Sequence, residues 1–296
     1  MRAPTSSSHS ARDHAPPSPP SPPCHPLLLP PRLAAYGAVL FACLVAALVH
    51  DLGHDGFNNA FHINSNSRFA IASCYVAPLE HHHLSSAFSI LAQEGSIFAG
   101  FGLSQRKQLQ VWIRDLVLAT DFGVHMDIVN EFRTMLDLKS VISAGDAAGA
   151  PPADAKTGAG AAAAAALAAG NSRLSALSLE GGEKVLTMKM VIKTADVGYL
   201  SKGHDYCLVW TQRCLDEFSS QGDTEKRLDL PVSFGCDRDT IDVPSFQLGF
   251  YNFVIPPLYE SMHLLCPIDG QLANLDAMRT HWQAEKEKGQ AVKPSE

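Results

Sequence analysis

His50, Asp51 and His54 place two imidazoles and a carboxylate within five positions, at the end of a long apolar run. A neutral imidazole and a carboxylate are suitable ligands for zinc, magnesium or manganese. Asp51 has two oxygens and could bridge two cations, which a histidine cannot. His54 follows His50 at i, i+4 spacing, on the same side of a helical turn. A His-Asp pair also arises by chance in many chains, so these residues alone leave metal binding and coincidence both open.

Three further groups carry potential chemistry. Leu79-Glu80-His81-His82-His83 reads either as a polar helix start, where the macrodipole favours Glu80, or as groups that orient ligands and ordered water. Ala119-Thr120-Asp121 is followed by His125. Asp196, in Thr194-Ala195-Asp196, follows the apolar residues Val191 and Ile192. A carboxylate on such a face needs an arginine or a metal to offset its desolvation, and the sequence does not choose between them.

The elements that must position these residues are helical. From about Tyr36 to Leu138, apolar residues such as Phe88, Leu91, Phe98, Val111, Ile113, Leu116 and Val117 recur at helix-compatible intervals. The pattern resumes from Lys184 to Trp282, broken by a turn-rich stretch from Leu230 to Ser245. Ser85-Ser86 and Ser104-Gln105 read as helix starts, with Gly100 and Gly102 in the loop between. Residues 1–35 form a Pro/Ser-rich segment expected to be disordered. Residues 143–182 form an Ala/Gly-rich insertion between two helices, and 286–296 a charged tail. The seventeen uncharged residues Leu33 to Val49 are at the short edge of a membrane span. The metal-like run directly behind them favours a helix buried in a large helical core, and a membrane-anchored protein is the lesser reading. With no convincing strand or repeat, the expected fold is all-α.

The net charge of −7 argues against a nucleic-acid partner, which would show a basic face. It also means that bound cations would have to attract any anionic phosphate ester. The seven cysteines are odd in number and show no Cys-x-x-Cys spacing, which fits a reducing, cytoplasmic compartment and idle or buried thiols.

Taken in order, the motifs resemble the class I 3′,5′-cyclic nucleotide phosphodiesterases over roughly Tyr36 to Leu138 and Lys184 to Trp282. They are His50 to Gly56, Asn59-x-Phe61 with Asn64 and Asn66, Leu79 to His83, Ala119 to His125, Ala195-Asp196 and Trp210 to Asp223. After them come Gly222 to Lys226, Leu230-Pro231, Cys236-Asp237-Arg238, Gln247 to Phe250, Pro257-Leu258 and Trp282. The resemblance implies a compact multi-helix HD-type catalytic domain over 36–285 that opens cyclic AMP or cyclic GMP to the 5′-monophosphate in signal transduction.

It also implies roles. His50, Asp51 and Asp196 match ligands of a zinc-like ion. Asp51 matches the bridge to a second ion, magnesium or manganese, and Asp51 and Asp196 thereby face the substrate phosphate. His54, Glu80 and Thr120 match groups that hold that ion's waters. Gln247 matches the glutamine that bonds the purine edge and Phe250 the aromatic that stacks on the base, while Cys214 and Phe218 fall where the base slot is lined.

Two departures are visible. The family's general-acid histidine and fourth metal ligand come from a Tyr-His-Asn-x-x-His-Ala type of motif that does not occur before His50; His9, His14 and His25 lie at the wrong spacing. The chain therefore reads as an N-terminally incomplete member with an impaired site, and a non-catalytic nucleotide-binding or regulatory protein is the alternative. Tyr199 stands where the family often has an asparagine near the base, which leaves the choice of nucleotide open. A membrane partner is disfavoured, and a homodimer is compatible with the pattern.

Overall fold

The structure, a computed structural model, describes residues 31–147 and 181–289, with side chains described for 37–139 and 181–289. Every regular element among them is helical, in agreement with the all-α expectation. The helices are α1 (Pro31–Val49), α2 (Asn59–Asn64), α3 (Arg68–Ala72), α4 (Pro78–Leu91), α5 (Leu103–Leu118) and α6 (His125–Ala147). After the interruption follow α7 (Gly182–Asp196), α8 (His204–Arg227), α9 (Val243–Gly249), α10 (Ile255–Leu265) and α11 (Asp269–Glu287). Most of the Pro/Ser-rich segment, most of the Ala/Gly-rich insertion and most of the charged tail lie outside the described residues; α1 already begins at Pro31.

Local chemistry sets several boundaries. Asn58 caps α2 by accepting from the Phe61 N–H at 2.8 Å, and Ser67 caps α3 by accepting from Ala70. The Gln105 side chain accepts from the Gly102 N–H at 3.0 Å and fixes the start of α5, close to the expected Ser104-Gln105 start. Ser85-Ser86 is different. These residues sit in the middle of α4, which begins at Pro78. Proline is preorganised for the first helical turn and loses nothing there by lacking an N–H, so it outranks the serines as a start. Between α9 and α10 the chain makes one turn of π-helix, Phe250–Val254. Pro256 and Pro257 offer no N–H to the carbonyls of Asn252 and Phe253, so the α-helical ladder cannot be kept there.

Two apolar clusters make the core, and α7 belongs to both. Its Leu186 and Met190 join Phe132, Leu215, Tyr251, Ile255, Tyr259 and Trp282. Its Met188 and Ile192, on another face, join Ala42, Val45, Leu84, Phe98, Ile113 and Leu116. The helix is thus held on two sides, and Asp196 is its last residue. Phe132, fully buried in the first cluster, is expected to cost about 3–5 kcal/mol when cut to alanine. A urea midpoint unchanged in Phe132→Ala would contradict that placement.

The apolar α1 is buried on one side only. Ala42, Val45 and Ala46 pack into the second cluster, whereas Leu40, Leu44 and Leu48 are exposed, the last at 81%. The expected fully buried helix is therefore half covered, because nothing among the described residues packs on that face. No helix among the described residues is long and apolar enough to cross a membrane.

Candidate metal centre and its cavity

α1 stops at Val49 and hands His50 and Asp51 to a turn closed by Leu52 N–H to Val49 O and His54 N–H to Asp51 O. Gly53 completes the turn at φ 76°, where side chains are disfavoured, and an added Cβ would press on His82 Nε2 at 3.1 Å. His50 Nδ1 lies 2.9 Å from the Ala47 carbonyl. A proton placed there to donate leaves Nε2 free to act as a ligand.

His50 Nε2 lies 3.3 Å from Asp51 Oδ2 and 3.3 Å from Asp196 Oδ1. One ligand atom from each residue falls within 4.8 Å of the other two. Tetrahedral zinc with bonds of about 2.0–2.2 Å separates its ligand atoms by roughly 3.3–3.6 Å, so the three side chains fit a cation between them. Asp196 is also a carboxylate at the C-terminal, negative end of its helix, an unfavourable place for an unpartnered anion. The charges respond to one another. His50 is pushed up to about 10, by Asp196 first and Asp51 next, and Asp51 is lowered, mainly by His50. A divalent ion and a proton therefore compete for the His50 ring nitrogen, and metal affinity falls as pH drops.

These carboxylates open into a cavity of about 400 Å³, whose wall includes Asp51, His54, Glu80, Thr120, Asp196 and Phe218. His54 Nδ1 accepts from the Gly56 N–H at 3.0 Å, so a neutral His54 carries its proton on Nε2. Glu80 is buried and accepts from Asn59 Nδ2 at 2.9 Å, while Asn59 Oδ1 accepts from the Leu79 N–H at 2.9 Å. One amide thus ties the start of α2 to the start of α4. Thr120 donates to Val117 O at 2.7 Å, which leaves its oxygen lone pairs for an acceptor role.

Burial pushes the Glu80 carboxyl above its ordinary 4.5. Its ionisation therefore costs folding stability as pH rises from 4.5 through the raised value, and the cost is complete above it. Glu80→Gln keeps an acceptor for Asn59, so the metal-free variant is expected to melt higher than the parent near neutral pH. Well below 4.5 the two should melt together. An equal shift at both pH values would refute the assignment.

The histidine run splits up. His83 is buried, with Nδ1 2.8 Å from Leu52 O and Nε2 3.9 Å from Asp51 Oδ1. His82 stacks on Phe69 at 3.9 Å, and His81 is exposed. His125 turns to the Val254 carbonyl at 3.1 Å, a link between α6 and the π turn. Gln247, Phe250 and Cys214 do not line the cavity. Gln247 is buried in α9, Phe250 reaches the cavity-lining Phe122 at 5.7 Å, and Cys214 lies 3.9 Å from the Tyr199 hydroxyl. Phe218 meets Phe246 edge-on at 6.3 Å.

Glu217, Gln221, Asn58 and Phe122 also line the cavity, and the sequence pattern did not single them out as site residues. Glu217 and Gln221 share a face of α8 at i, i+4 spacing, and Gln221 Oε1 accepts from the Asn58 N–H at 2.8 Å. Glu217 and Gln221 fall within the Trp210–Asp223 motif and Phe122 within Ala119–His125, and those motifs were the signal for them.

Comparison with known proteins agrees with the geometry. The family model described as 3′5′-cyclic nucleotide phosphodiesterase matches residues 37–275. A probable 3′,5′-cyclic-AMP phosphodiesterase, pde-4, of Caenorhabditis elegans is 31% identical over 265 residues, 88% of this chain and 35% of that protein. The mouse (Mus musculus) 3′,5′-cyclic-AMP phosphodiesterase 4C is 30% identical over 88% of this chain and 34% of its own length. The chain thus spans about a third of these relatives. The crystal structure of the phosphodiesterase domain of the RhoPDE fusion protein from the choanoflagellate Salpingoeca rosetta superposes with a TM-score of 0.65 at 27% identity. It covers 85% of this chain and 70% of that one.

Proposed function

Since the chain belongs to the 3′5′-cyclic nucleotide phosphodiesterase family, we propose that it hydrolyses 3′,5′-cyclic nucleotides to 5′-monophosphates, with slow turnover. The observation that carries this is the meeting of His50, Asp51 and Asp196 around one point at the mouth of a polar cavity. The family works with divalent metals, and the His/Asp set suits a zinc-like ion at the first position. Magnesium or manganese is proposed beside it, held by Asp51 and by a water shell that His54, Glu80 and Thr120 would bond. When bound, such a pair of ions polarises the phosphate and makes water a stronger nucleophile at neutral pH.

The chain's own residues do the rest in this reading. Asp51 and Asp196 fix where the phosphate sits. Phe218 is proposed to line the base slot from the cavity wall, and Gln247, Phe250 and Cys214, which stand outside that wall, are proposed to bond the purine edge, stack on the base and line the slot where it continues past Phe122. Water adds to phosphorus, the P–O3′ bond breaks, and O3′ takes a proton. His54, which lines the cavity, is assigned here to the second ion's waters, and the family's general-acid motif does not occur before His50; acid catalysis is typically worth about 10²- to 10⁴-fold, and this is why slow turnover is proposed.

The catalytic unit is taken as residues 36–285, acting in the cytoplasm and compatible with a homodimer. The nematode and mouse relatives are both named for cyclic AMP, which makes it the first substrate to test. The metal-loaded chain incubated with cyclic AMP or cyclic GMP should yield 5′-monophosphate, and Asp51→Ala should stop it. Nucleotide binding without any product would instead support a regulatory protein.

A further inference from the structure

Lys193 is only 3% exposed and yet meets no carboxylate directly among its hydrogen bonds: Nζ donates to the Ala119 carbonyl at 2.6 Å and lies 5.8 Å from the centre of the Phe122 ring. A buried ammonium with a single carbonyl acceptor is costly and needs an electrostatic reason. The carboxylates whose charge bears on it are Asp196 first, then Asp121 and Glu80. All three face the cavity of the metal centre.

We infer that Lys193 is a fixed internal cation of this centre, which offsets the cavity carboxylates, clamps the Ala119–Asp121 turn to α7 and weakens the hold on a second divalent ion. The inference rests on the two-ion reading proposed above and concerns only the second ion. Burial lowers the Lys193 value to about 8, so the side chain is still mainly charged at neutral pH. Its place on α7 is set by both core clusters through Met190 and Ile192. The 2.6 Å bond from Nζ to the Ala119 carbonyl holds the ammonium at the cavity edge when a dication arrives. A fixed like charge beside a cation site lowers its affinity in a way that screening by buried surroundings does little to relieve.

The test uses the full chain, first loaded with Zn²⁺ and then titrated with Mn²⁺, with free Mn²⁺ read by electron paramagnetic resonance. Zinc binding that Asp196→Ala removes establishes the first site. Its failure would sink the metal reading as a whole, not this inference alone. With zinc in place, Lys193→Met should bind Mn²⁺ about tenfold more tightly than the parent. Lys193→Arg, which keeps the charge, should bind as the parent does. A folded Lys193→Met with unchanged or weaker Mn²⁺ binding overturns the inference. Lys193→Gln, which retains a donor for Ala119 without the charge, gives the same reading if the methionine variant does not fold. Should neither fold, the parent decides: a Mn²⁺ ion held as tightly as the first ion overturns the inference, and a much weaker one supports it.

Discussion

Asp196→Ala is expected to weaken zinc binding by at least about 100-fold while leaving the helical fold intact. Loss of groups that merely orient ligands costs about 10- to 100-fold, so loss of a ligand should cost no less. The fold is spared for two reasons. Asp196 is the last residue of α7 and sits at the negative end of that helix, where its own charge is unfavourable. The helix is anchored instead by Leu186, Met188, Met190 and Ile192. The variant also has a pH signature. His50 is raised to about 10, chiefly by Asp196. A raised histidine stabilises the metal-free fold fully below its ordinary 6.5, and that stability is lost as pH rises through about 10. Asp196→Ala should therefore flatten the stability profile of the metal-free protein between those two values. Calorimetric titration with zinc and melting curves across that range check both parts. Zinc bound as tightly by the variant as by the parent would remove Asp196 from the centre.

Gly222→Ala should be the most damaging alanine substitution among the described glycines, costing about 3 kcal/mol. A Cβ at this position would lie 2.0 Å from the Cys236 carbonyl oxygen, and that oxygen belongs to backbone that cannot retreat. Ser233 donates to the fully buried Glu225 from its N–H at 2.8 Å and its hydroxyl at 2.6 Å. Gln221 Nε2 donates to the same carboxylate at 2.9 Å. Arg238 grips Asp223 through two bonds of 3.1 and 2.6 Å, and Lys226 bonds Asp237 at 2.6 Å. The clash is carried into the site as well, because Gln221 Oε1 holds the Asn58 N–H where the metal-motif loop ends and α2 begins. Weaker zinc binding should accompany the loss of stability. Gly198→Ala is the control, since an added Cβ there meets nothing within 4 Å. Equal urea midpoints for the two variants would show that the segment around Cys236 gives way.

Much of the arrangement is legible in the residues alone. Helical periodicity points to the fold class, because an apolar repeat near 3.6 residues reports one buried face directly. The sequence left two readings of where α4 begins, a polar start at Leu79–His83 and one at Ser85-Ser86, and the structure takes the first, with Pro78 leading. The periodicity could not show that α1 leaves Leu40, Leu44 and Leu48 uncovered, because a uniformly apolar run does not say which side has a neighbour.

The candidate site divides along the same line. His50, Asp51 and His54 are close in sequence, and a helix end followed by a glycine turn brings them together by local geometry alone. Asp196 joins them only because α7 is wedged between two cores, with Met190 on one side and Ile192 on the other. Lys193 shows the limit most sharply. In the sequence it is one more lysine in a helix, a residue type almost always solvated. Tertiary packing removes its water and leaves its charge beside Asp196, Asp121 and Glu80. Residue types and short spacings fix which chemistry is available. Desolvation and long-range proximity, which depend on how the helices pack, decide which of those groups act on one another.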